Sequence, residues 1–381
     1  MRLTSFAVIT SVFFAFGCAS SQRETSQREA SASKSAAESP GGRITILHTN
    51  DMHANFTPHE ATWRKESPKP MVGGFRELEF ALDSIRALEP QTLLLDAGDV
   101  MTGNPITDRP YKGVDGGALF EMMSMLKYDG WCPGNHDFDI SQTNLIGLSK
   151  IASFPMVSSN LVNTHNEFPV NNKEYAILNR GGLRIGIFGL MTQELYGLVN
   201  QNNLVGIKVL DLAATAQKTI DKLDPETDLI IVLTHNGASE DSALASALHG
   251  LDVIVGGHSH TRLTKPRVVN DVIIVQTGSR CENLGVLDVT VEHDKVVKYD
   301  GTLVQLWANE TRPKTRLAGF IDSVQAEIDR DFEEVLAELK VDWVRNNNGE
   351  SNLGDWLADV QRDAAGAQAA FMNDGGIRSD V

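Results

Sequence analysis

The sequence has few cysteines, few aromatic residues and a shortage of positive charge. Only 3 cysteines occur among 381 residues, which excludes a small scaffold stabilised by disulfides. Lys and Arg number 34 against 50 Asp and Glu, so the net charge is -16 and the basic surface that binds nucleic-acid polymers is absent. We expect neither a nucleic-acid nor a protein partner. An anionic small molecule must meet local positive charge, which bound metal ions can supply.

Long apolar runs are also missing, apart from one at the N-terminus. After the positive Arg2, the stretch Phe6–Phe16 is too short to span a bilayer comfortably, and it ends near Cys18. This pattern predicts an export signal over residues 1–18. Ala15 to Cys18 resembles a bacterial lipoprotein cleavage site, at which Cys18 becomes lipid-modified; an ordinary secretion signal with an incidental cysteine is the alternative. We expect a periplasmic or outer-surface protein that contacts a membrane only through this anchor.

The remaining chain alternates between strand-like and helix-like patterns. Ser, Ala, Gln and Glu dominate residues 19–42, a composition typical of a flexible tether. From residue 43 onwards, short runs of branched residues predict buried strands, and apolar residues at helical spacing predict helices between them. The strands are predicted at Ile44–Leu47, Thr92–Leu95, Arg184–Phe188 and Leu229–Leu233, and the helices at Phe75–Leu88, Ala118–Leu126 and Leu212–Leu223. The alternation predicts a layered α/β domain over residues 43–315.

The C-terminal third follows a different pattern. Val272–Val275 and Leu284–Val291 have no helix pattern between them, which predicts an antiparallel sheet. Apolar residues at helical spacing predict an amphipathic helix from Gly319 to Leu339, which would form a linker within residues 316–340. The residues 341–381 that follow are near the lower limit for a domain that stabilises itself.

Five clusters of Asp, His and Asn stand at or just beyond apolar runs. They are Asp51-Met52-His53, Asp96 to Asp99, Gly134 to Asp137, Thr234 to Gly237 and Gly256 to His260. Strand ends in an α/β sheet present functional loops, so these side chains should converge. Carboxylates mixed with imidazoles suit Zn, Mn or Fe rather than Ca. Each cluster alone is commonplace, as a solvated turn or a strand exit, but the set indicates a metal centre.

The order of these clusters resembles the signature of the calcineurin-like metallophosphoesterases. That resemblance implies a layered β-sandwich with helices on both faces, in the order α-β-β-α, followed by a linker helix and the start of a second α+β domain. Leu47 to His53, Gly134 to Asp139 and Thr234 to Gly237 resemble, more narrowly, the bacterial 5′-nucleotidase and UDP-sugar hydrolase group. This group implies two divalent cations, with Zn, Mn, Co or Fe as candidates.

The resemblance also implies a role for each site residue. One metal would be bound by Asp51, His53, Asp99 and His260, and the other by Asp99, Asn135, His235 and His258. Bacterial nucleotidases often have glutamine where His260 stands, whereas the wider superfamily commonly has histidine. A hydroxide generated by the two metals would attack phosphorus, so no protein nucleophile is needed. His136 would assist the leaving oxygen and Asp139 would orient it, although His136 could instead only brace its loop.

Two segments near the C-terminus extend the resemblance. Glu350–Trp356 and Asn373–Arg378 resemble the opening of the nucleotidase substrate-binding domain, in which Arg378, together with Asn135 of the catalytic domain, would bind substrate. The paired aromatic residues that sandwich the base in that domain are not found before Val381. The chain is therefore either a fragment of a two-domain nucleotidase or a natural short form. Without base stacking, which contributes ~1–3 kcal/mol per base, nucleotide affinity should fall.

The sequence leaves several other questions open. A 2′,3′-cyclic-nucleotide phosphodiesterase with 3′-nucleotidase activity, or a sulfur-ester hydrolase, would use similar ligands. A binding lipoprotein without turnover is a third alternative, against which the complete set of predicted ligands and His136 argues. A disulfide between Cys132 and Cys281 and two free thiols are both compatible with an oxidising compartment, and the spacing does not decide between them. We also expect the segment 341–381 to be poorly packed on its own.

Overall fold

The structure is a computed structural model that describes residues 41–346, 349–373 and 376–377. The predicted signal over residues 1–18, with Cys18, and nearly all of the predicted tether lie outside the described residues. Among the residues that are described, no helix combines the length and the hydrophobicity that crossing a membrane requires.

Strands and helices alternate along most of the described chain. The strands are β1 (Gly42–Thr49), β2 (His59–Glu60), β3 (Met71–Val72), β4 (Thr92–Asp96), β5 (Pro110–Tyr111), β6 (Val114–Asp115), β7 (Gly130–Trp131), β8 (Leu161–Asn163), β9 (Tyr175–Arg180), β10 (Leu183–Met191), β11 (Ile207–Val209), β12 (Leu229–His235), β13 (Val253–Gly256), β14 (Arg267–Val269), β15 (Val272–Val275), β16 (Asn283–Glu292) and β17 (Lys295–Gln305). The α-helices are α1 (Phe75–Leu88), α2 (Gly117–Met125), α3 (Gln142–Ile151), α4 (Leu195–Leu198), α5 (Leu212–Leu223), α6 (Ala238–Ala247), α7 (Arg316–Asp331) and α8 (Asn352–Ala365).

Two mixed sheets form the centre of the fold. The first sheet has the strand order β17-β16-β1-β4-β7. Strands β1, β4 and β7 are parallel to one another, β16 pairs antiparallel with β1, and β17 pairs antiparallel with β16. The second has the order β14-β15-β13-β12-β10-β9, with four parallel central strands and an antiparallel strand at each edge. Parallel strands leave the sheet at the same edge, so their C-terminal loops meet.

Apolar side chains hold these sheets and the helices together in layers. Because successive strand residues point to opposite faces, Ile46 of β1 packs towards Ile187 and Ile231 of the second sheet, whereas Leu47 faces the helices. The core outside the first sheet contains residues of α1, α2, α3 and α7, and that outside the second contains residues of α5 and α6. Each fully buried Ile or Leu contributes about 1.5–3 kcal/mol. The predicted α-β-β-α sandwich is confirmed.

Helix starts are specified locally. Ser141, Asp211 and Thr315 precede α3, α5 and α7, and each side chain accepts a hydrogen bond from the backbone N–H three residues further along. Such caps satisfy an amide that has no partner within the helix and contribute about 1 kcal/mol each. The sequence therefore fixes where these helices begin, while the packing of their apolar faces fixes where they lie.

Two predictions for the C-terminal third were wrong in part. Val272–Val275 pairs parallel with β13 and antiparallel only with the short β14, so it extends the parallel sheet, whereas Leu284–Val291 is antiparallel as expected.

The helix predicted to run to Leu339 ends at Asp331. Phe332 and Val335, which would continue its apolar face, are 68% and 86% exposed and have little to pack against. Helices in proteins owe most of their stability to such packing.

The two cysteines in the described part of the chain do not form a disulfide. Cys132 and Cys281 are both buried and free, and they belong to separate cores, one between the sheets and one beneath the helices. Burial raises the pKa of the Cys281 thiol to about 12, so it behaves as a packed apolar group.

The residues beyond α7 pack less well than the sandwich. Leu353 and Ile377 are buried, and the rings of Trp343 and Trp356 lie 4.8 Å apart. Most other apolar side chains of this segment are exposed, including Phe371 at 92%. The domain boundaries at residues 315 and 340 stay predictions, since α7 lies across only part of the predicted linker.

Candidate metal centre

All the predicted metal ligands lie at the C-terminal ends of parallel strands. Asp51 and His53 follow β1, Asp99 follows β4, Asn135 follows β7, His235 ends β12, and His258 and His260 follow β13. The first three strands belong to one sheet and the last two to the other. The face-to-face packing of the sheets therefore brings both sets of loops to one place.

The first ligand cluster consists of Asp51, His53 and His260. One ligand atom from each lies within 4.8 Å of those from the other two. The Nε2 atoms of His53 and His260 are 2.9 Å apart, and His260 Nε2 is 3.3 Å from Asp51 Oδ1. Asp51 and His53 are buried whereas His260 is exposed, so the cluster lies where the core meets solvent.

The second cluster consists of Asp99, His235 and His258, whose ligand atoms also lie within 4.8 Å of one another. His235 Nε2 is 3.2 Å from Asp99 Oδ2, and the His235 and His258 ring centroids are 5.0 Å apart. Asn135 is buried, and its Oδ1 has no hydrogen-bond partner among the described residues. The neighbouring Gly134 lies against both Asp99 and His235, which brings Asn135 close to this cluster.

Asp99 is shared by the two clusters. Its Oδ2 lies 3.9 Å from His53 Nε2 on one side and 3.2 Å from His235 Nε2 on the other. One carboxylate oxygen thus faces an imidazole nitrogen of each cluster. This is the arrangement in which a single aspartate can bridge two cations.

The unpaired atoms of the site fit metal binding. His235 Nδ1 donates a hydrogen bond to the Ala97 carbonyl at 2.8 Å, which leaves the lone pair on Nε2, and Nε2 is buried without a hydrogen-bond partner in the described chain. A buried polar atom left unpaired costs about 1–3 kcal/mol. Together with Asn135 Oδ1, these atoms form a mixed oxygen and nitrogen donor set suited to divalent transition metals or zinc.

The backbone of the ligand loops is strained at most of the predicted ligands. The residues with positive φ among them are Asp51 (49°), His53 (46°), Asp99 (56°), His258 (75°) and His260 (52°). The left-handed region costs a residue other than glycine roughly 1–2 kcal/mol. Such outliers concentrate at functional sites, where the surrounding structure enforces them.

Glycines allow the loops to approach one another. Gly98 has φ 89°, and a Cβ there would lie 2.6 Å from the Gly134 amide and 2.8 Å from His235 Nδ1. A Cβ at Gly134 would lie 2.2 Å from Asp99 Oδ1. No larger residue fits at either position without moving a ligand.

Two buried side chains hold the ligand loops in place. Asp137 accepts four backbone N–H bonds of 2.7 to 3.1 Å, from residues 99, 100, 101 and 134, and so joins the Asp99 loop to the Asn135 loop. Gln276 accepts from the Thr261 amide at 2.8 Å and donates to the Gly257 carbonyl at 2.5 Å, on either side of His258 and His260. Sequence reasoning gave neither residue a role, because Gln276 lies in no motif and Asp137 belongs to a motif in which other residues were assigned as ligands.

The charges of the two clusters are coupled. Burial lowers the pKa of His53 to about 4, although Asp99 and Asp51 partly oppose this. Burial also disfavours charge on His235, but the attraction of Asp99 outweighs it and raises the pKa of His235 to about 10, so without a cation a proton takes the Nε2 lone pair that a metal would use. In turn, although burial alone would raise the pKa of Asp99, attraction to His235 and His53 holds it well below its usual range. The site therefore stabilises an anionic Asp99 beside a positive charge.

The predicted catalytic pair lies beside the first cluster. His136 Nδ1 is 2.7 Å from Asp139 Oδ2, and their side chains are 21% and 33% exposed. The His136 ring centroid is 5.3 Å from that of His53. A cavity of about 510 Å³ opens next to Asp139. The pair is therefore close to the ligand clusters and accessible to a small molecule.

Two further histidines near the first motif lie apart from the clusters, and one predicted site residue lies outside the described chain. His48 is fully buried against Gly285, burial lowers its pKa to about 3, and it belongs to neither cluster. His59 instead contacts Glu282 at 3.2 Å. Arg378, the predicted substrate-binding arginine, lies outside the described residues.

Comparisons with known proteins agree with this geometry. Residues 44–262 match the model of the calcineurin-like phosphoesterase family, and residues 335–381 match the 5′-nucleotidase C-terminal domain. A trifunctional nucleotide phosphoesterase of Bacillus subtilis is 28% identical over 89% of this chain and 25% of its own length. A 5′-nucleotidase from the venom of Naja atra is 32% identical over 69% of this chain and 53% of its own length.

A solved structure supports the same assignment. The 5′-nucleotidase precursor of Thermus thermophilus superposes with a TM-score of 0.78 at 32% identity, covering 89% of this chain and 71% of that one. The chain thus spans between a quarter and about half of the first two curated relatives, and most of this solved structure. The family match includes every strand that carries a predicted ligand. The chain belongs to the calcineurin-like phosphoesterase family, in its 5′-nucleotidase branch.

Proposed function

We propose that this protein hydrolyses phosphate esters of nucleotides with the help of two divalent cations, and that nucleoside 5′-monophosphates and UDP-sugars are its favoured substrates. The observation that carries the proposal is the position of Asp99 Oδ2, which faces an imidazole of each cluster. A binding protein has no need of a shared carboxylate between two sets of ligands. The 5′-nucleotidases among its relatives supply the substrate class.

The ligand assignment follows the two clusters. Asp51, His53, Asp99 and His260 would hold one cation, and Asp99, Asn135, His235 and His258 the other. Zn, Mn, Co or Fe suits this donor set. When bound, the cations supply positive charge for the phosphoryl oxygens and activation of a water molecule. They also explain how a chain with a net charge of -16 can attract an anionic substrate.

The residues of the chain supply the remaining functions. His136 donates a proton or a hydrogen bond at the leaving oxygen, because its imidazole is accessible and imidazole is the side chain best suited to proton transfer near neutral pH. Asp139 accepts from Nδ1 and fixes the ring orientation. Asn135 contributes its amide both to the second cluster and to the substrate, and we assign Arg378 to substrate binding on its resemblance alone.

Export completes the proposal. The apolar stretch ending at Cys18 predicts a protein of the periplasm or outer surface, anchored by a lipid on that cysteine. Nucleotides and their sugar esters would be met there as small molecules, and the net charge argues against nucleic-acid polymers as substrates. Mass spectrometry of the mature N-terminus would reveal the lipid, and a mature chain that begins elsewhere without one would exclude the anchor.

One experiment tests the activity and its competitors together. Purified protein is stripped of metal, reloaded with Mn, Zn, Co or Mg, and assayed against nucleoside 5′-monophosphates, UDP-sugars, 2′,3′-cyclic nucleotides and thiosulfate esters. We expect release of phosphate from the monophosphates only after reloading. Activity confined to the cyclic nucleotides or to the sulfur esters would replace our assignment with one of those alternatives.

A variant distinguishes an enzyme from a binding protein. His136→Ala should lower kcat by roughly 10²- to 10⁴-fold, because a general acid contributes about that much, while metal content stays unchanged. His165→Ala is the matched control, since His165 is an exposed histidine remote in sequence from every cluster. Wild-type turnover in His136→Ala would remove His136 from the mechanism, and a wild-type protein that binds nucleotide without turnover would identify a binding lipoprotein.

A further inference from the structure

The oxygen of Asp139 that faces His136 has a second partner. Thr102 Oγ1 donates a hydrogen bond to Asp139 Oδ2 at 2.7 Å, and His136 Nδ1 lies 2.7 Å from the same atom. Two donors thus converge on one carboxylate oxygen. A hydroxyl donor stabilises the ionised form of a carboxyl group and limits its rotation about the side-chain bonds.

The backbone at Thr102 is strained. Its φ is 68°, in the left-handed region. A β-branched residue is a conformational outlier there, because its branched Cβ crowds the backbone. Glycine or asparagine would fit this position with less strain. A residue persists in an unfavourable backbone conformation only when other interactions offset the strain. The interaction that the Thr102 hydroxyl makes is the hydrogen bond to Asp139.

The segment around Thr102 is fixed on both sides. The Met101 amide donates to the Asp137 carboxylate at 3.0 Å. On the other side, a Cβ at Gly103 would lie only 2.7 Å from the His53 carbonyl oxygen, so the chain passes directly against a predicted ligand. Thr102 therefore stands on a rigid connection between the metal clusters and the pair formed by His136 and Asp139.

We propose that Thr102 is a positioning residue, which holds Asp139 so that the His136 imidazole keeps the orientation needed at the leaving oxygen. The proposal rests on the proposed role of His136. Asp139 is one-third exposed, so a free carboxylate at this position would exchange its partners with water and sample several rotamers. The Thr102 hydroxyl removes that freedom, and the strained backbone aims the hydroxyl at Oδ2.

The position of Thr102 predicts a specific kinetic signature. It touches the aspartate behind the imidazole, so its loss should impair proton delivery but not metal or substrate binding. Proton delivery matters most when the leaving group is a poor one, such as the ribose oxygen of a nucleotide. It matters little for p-nitrophenyl phosphate, whose leaving phenolate is stable without a proton.

The test compares Thr102→Val with Thr102→Ser. Valine keeps the branched shape and removes the hydroxyl, whereas serine keeps the hydroxyl and relieves part of the crowding. Thr107→Val is the matched control, because the Thr107 hydroxyl in the same segment bonds only the Asn104 carbonyl, at 2.8 Å. Each variant, fully loaded with manganese, is assayed for kcat and KM on AMP and on p-nitrophenyl phosphate, and its metal content is measured.

Thr102→Val should lose about tenfold in kcat on AMP, the equivalent of one hydrogen bond, with unchanged KM and metal content. Its kcat on p-nitrophenyl phosphate should stay within about twofold of the wild type, and Thr102→Ser should retain activity on both substrates. Equal losses on both substrates, loss of metal, or no change on either would overturn the positioning role. Failure of the proposed function looks different, because the metal-loaded wild type would then not hydrolyse AMP at all.

Discussion

Asp99, at the C-terminal ends of the parallel strands, and Asp252, at their N-terminal ends, have pKa values that their surroundings shift in opposite directions. At the C-terminal ends, Asp99 is buried among imidazoles, and attraction to His235 and His53 overcomes burial and lowers its pKa. At the N-terminal ends, Asp252 lines a cavity of about 440 Å³ whose lining includes other aspartates and Lys295 but no histidine. There burial raises the pKa of Asp252 to about 7, and repulsion from Asp294 and Asp224 adds to the effect.

This contrast shows what distinguishes the candidate metal centre from an acidic surface. Burial raises the pKa of Asp96, Asp137 and Asp241 near the C-terminal ends as well, whereas Asp99, which lies between imidazoles of both clusters, stays ionised and offers an oxygen ligand beside nitrogen ligands. Left-handed backbone does not separate the two ends, since Asp271 and Asp294 of the cavity also have positive φ. The imidazoles around Asp99 make the difference.

The largest effect is expected from the same substitution made at each end. Asp99→Asn removes the negative charge that the two clusters share. We therefore expect a lower content of both metals and at least a hundredfold loss of kcat/KM, which is more than replacing a residue that only supports a ligand typically causes. Asp252→Asn, a buried aspartate at the opposite end, should leave both quantities unchanged. Metal analysis and AMP hydrolysis of the two variants, side by side, measure this. Equal activity in the two variants would remove the distinction between the ends.

A smaller effect is expected from the carboxylate that ties the ligand loops together. In Asp137→Asn, the one remaining side-chain oxygen can accept hydrogen bonds from only two of the four backbone amides. The other two amides then face an N–H₂ group, which cannot accept. We expect about a 10- to 100-fold loss of metal affinity and a destabilisation of about 3 kcal/mol. Metal titration and urea unfolding of the metal-free protein report the two effects separately. Wild-type values for both would show that Asp137 does not hold the loops.

The smallest effect, confined to stability, is expected at the opposite end. The folded-state pKa of Asp252, about 7, is raised above the unfolded value near 3.9, so folding favours the protonated form. Stability should therefore fall as pH rises from about 4 to 7, and Asp252→Asn should remove that part of the loss. Above pH 7 the variant should be more stable than the wild type, by on the order of 1–3 kcal/mol, and near pH 4 about equal. Urea unfolding at both pH values measures this, and equal stability above pH 7 would contradict it.

Much of this fold and of the candidate metal centre could be predicted from local patterns. The branched runs located β1, β4, β10 and β12 within a few residues, because buried strands need continuous apolar stretches. The ligand loops were found because Asp, His and Asn recur at strand ends in a characteristic order. The bridging position of Asp99 required the resemblance to a family in addition to the residues themselves.

Features that depend on distant contacts were not predictable in this way. The parallel pairing of Val272–Val275 is decided by β13, which no local period reveals. The end of α7 at Asp331 depends on the lack of an apolar partner for Phe332. Likewise, nothing in the sequence around Thr102 announces a left-handed conformation, because that conformation is imposed by its contacts with the loops of Asp137 and Asp139.

The central claim is that Asp99 lies between two bound cations, and crystals of the manganese-loaded protein test it most directly. Anomalous diffraction should show two peaks, one among Asp51, His53 and His260 and the other among His235, His258 and Asn135, with the Asp99 carboxylate contacting both. A single peak, or two peaks of which Asp99 contacts only one, would contradict the account.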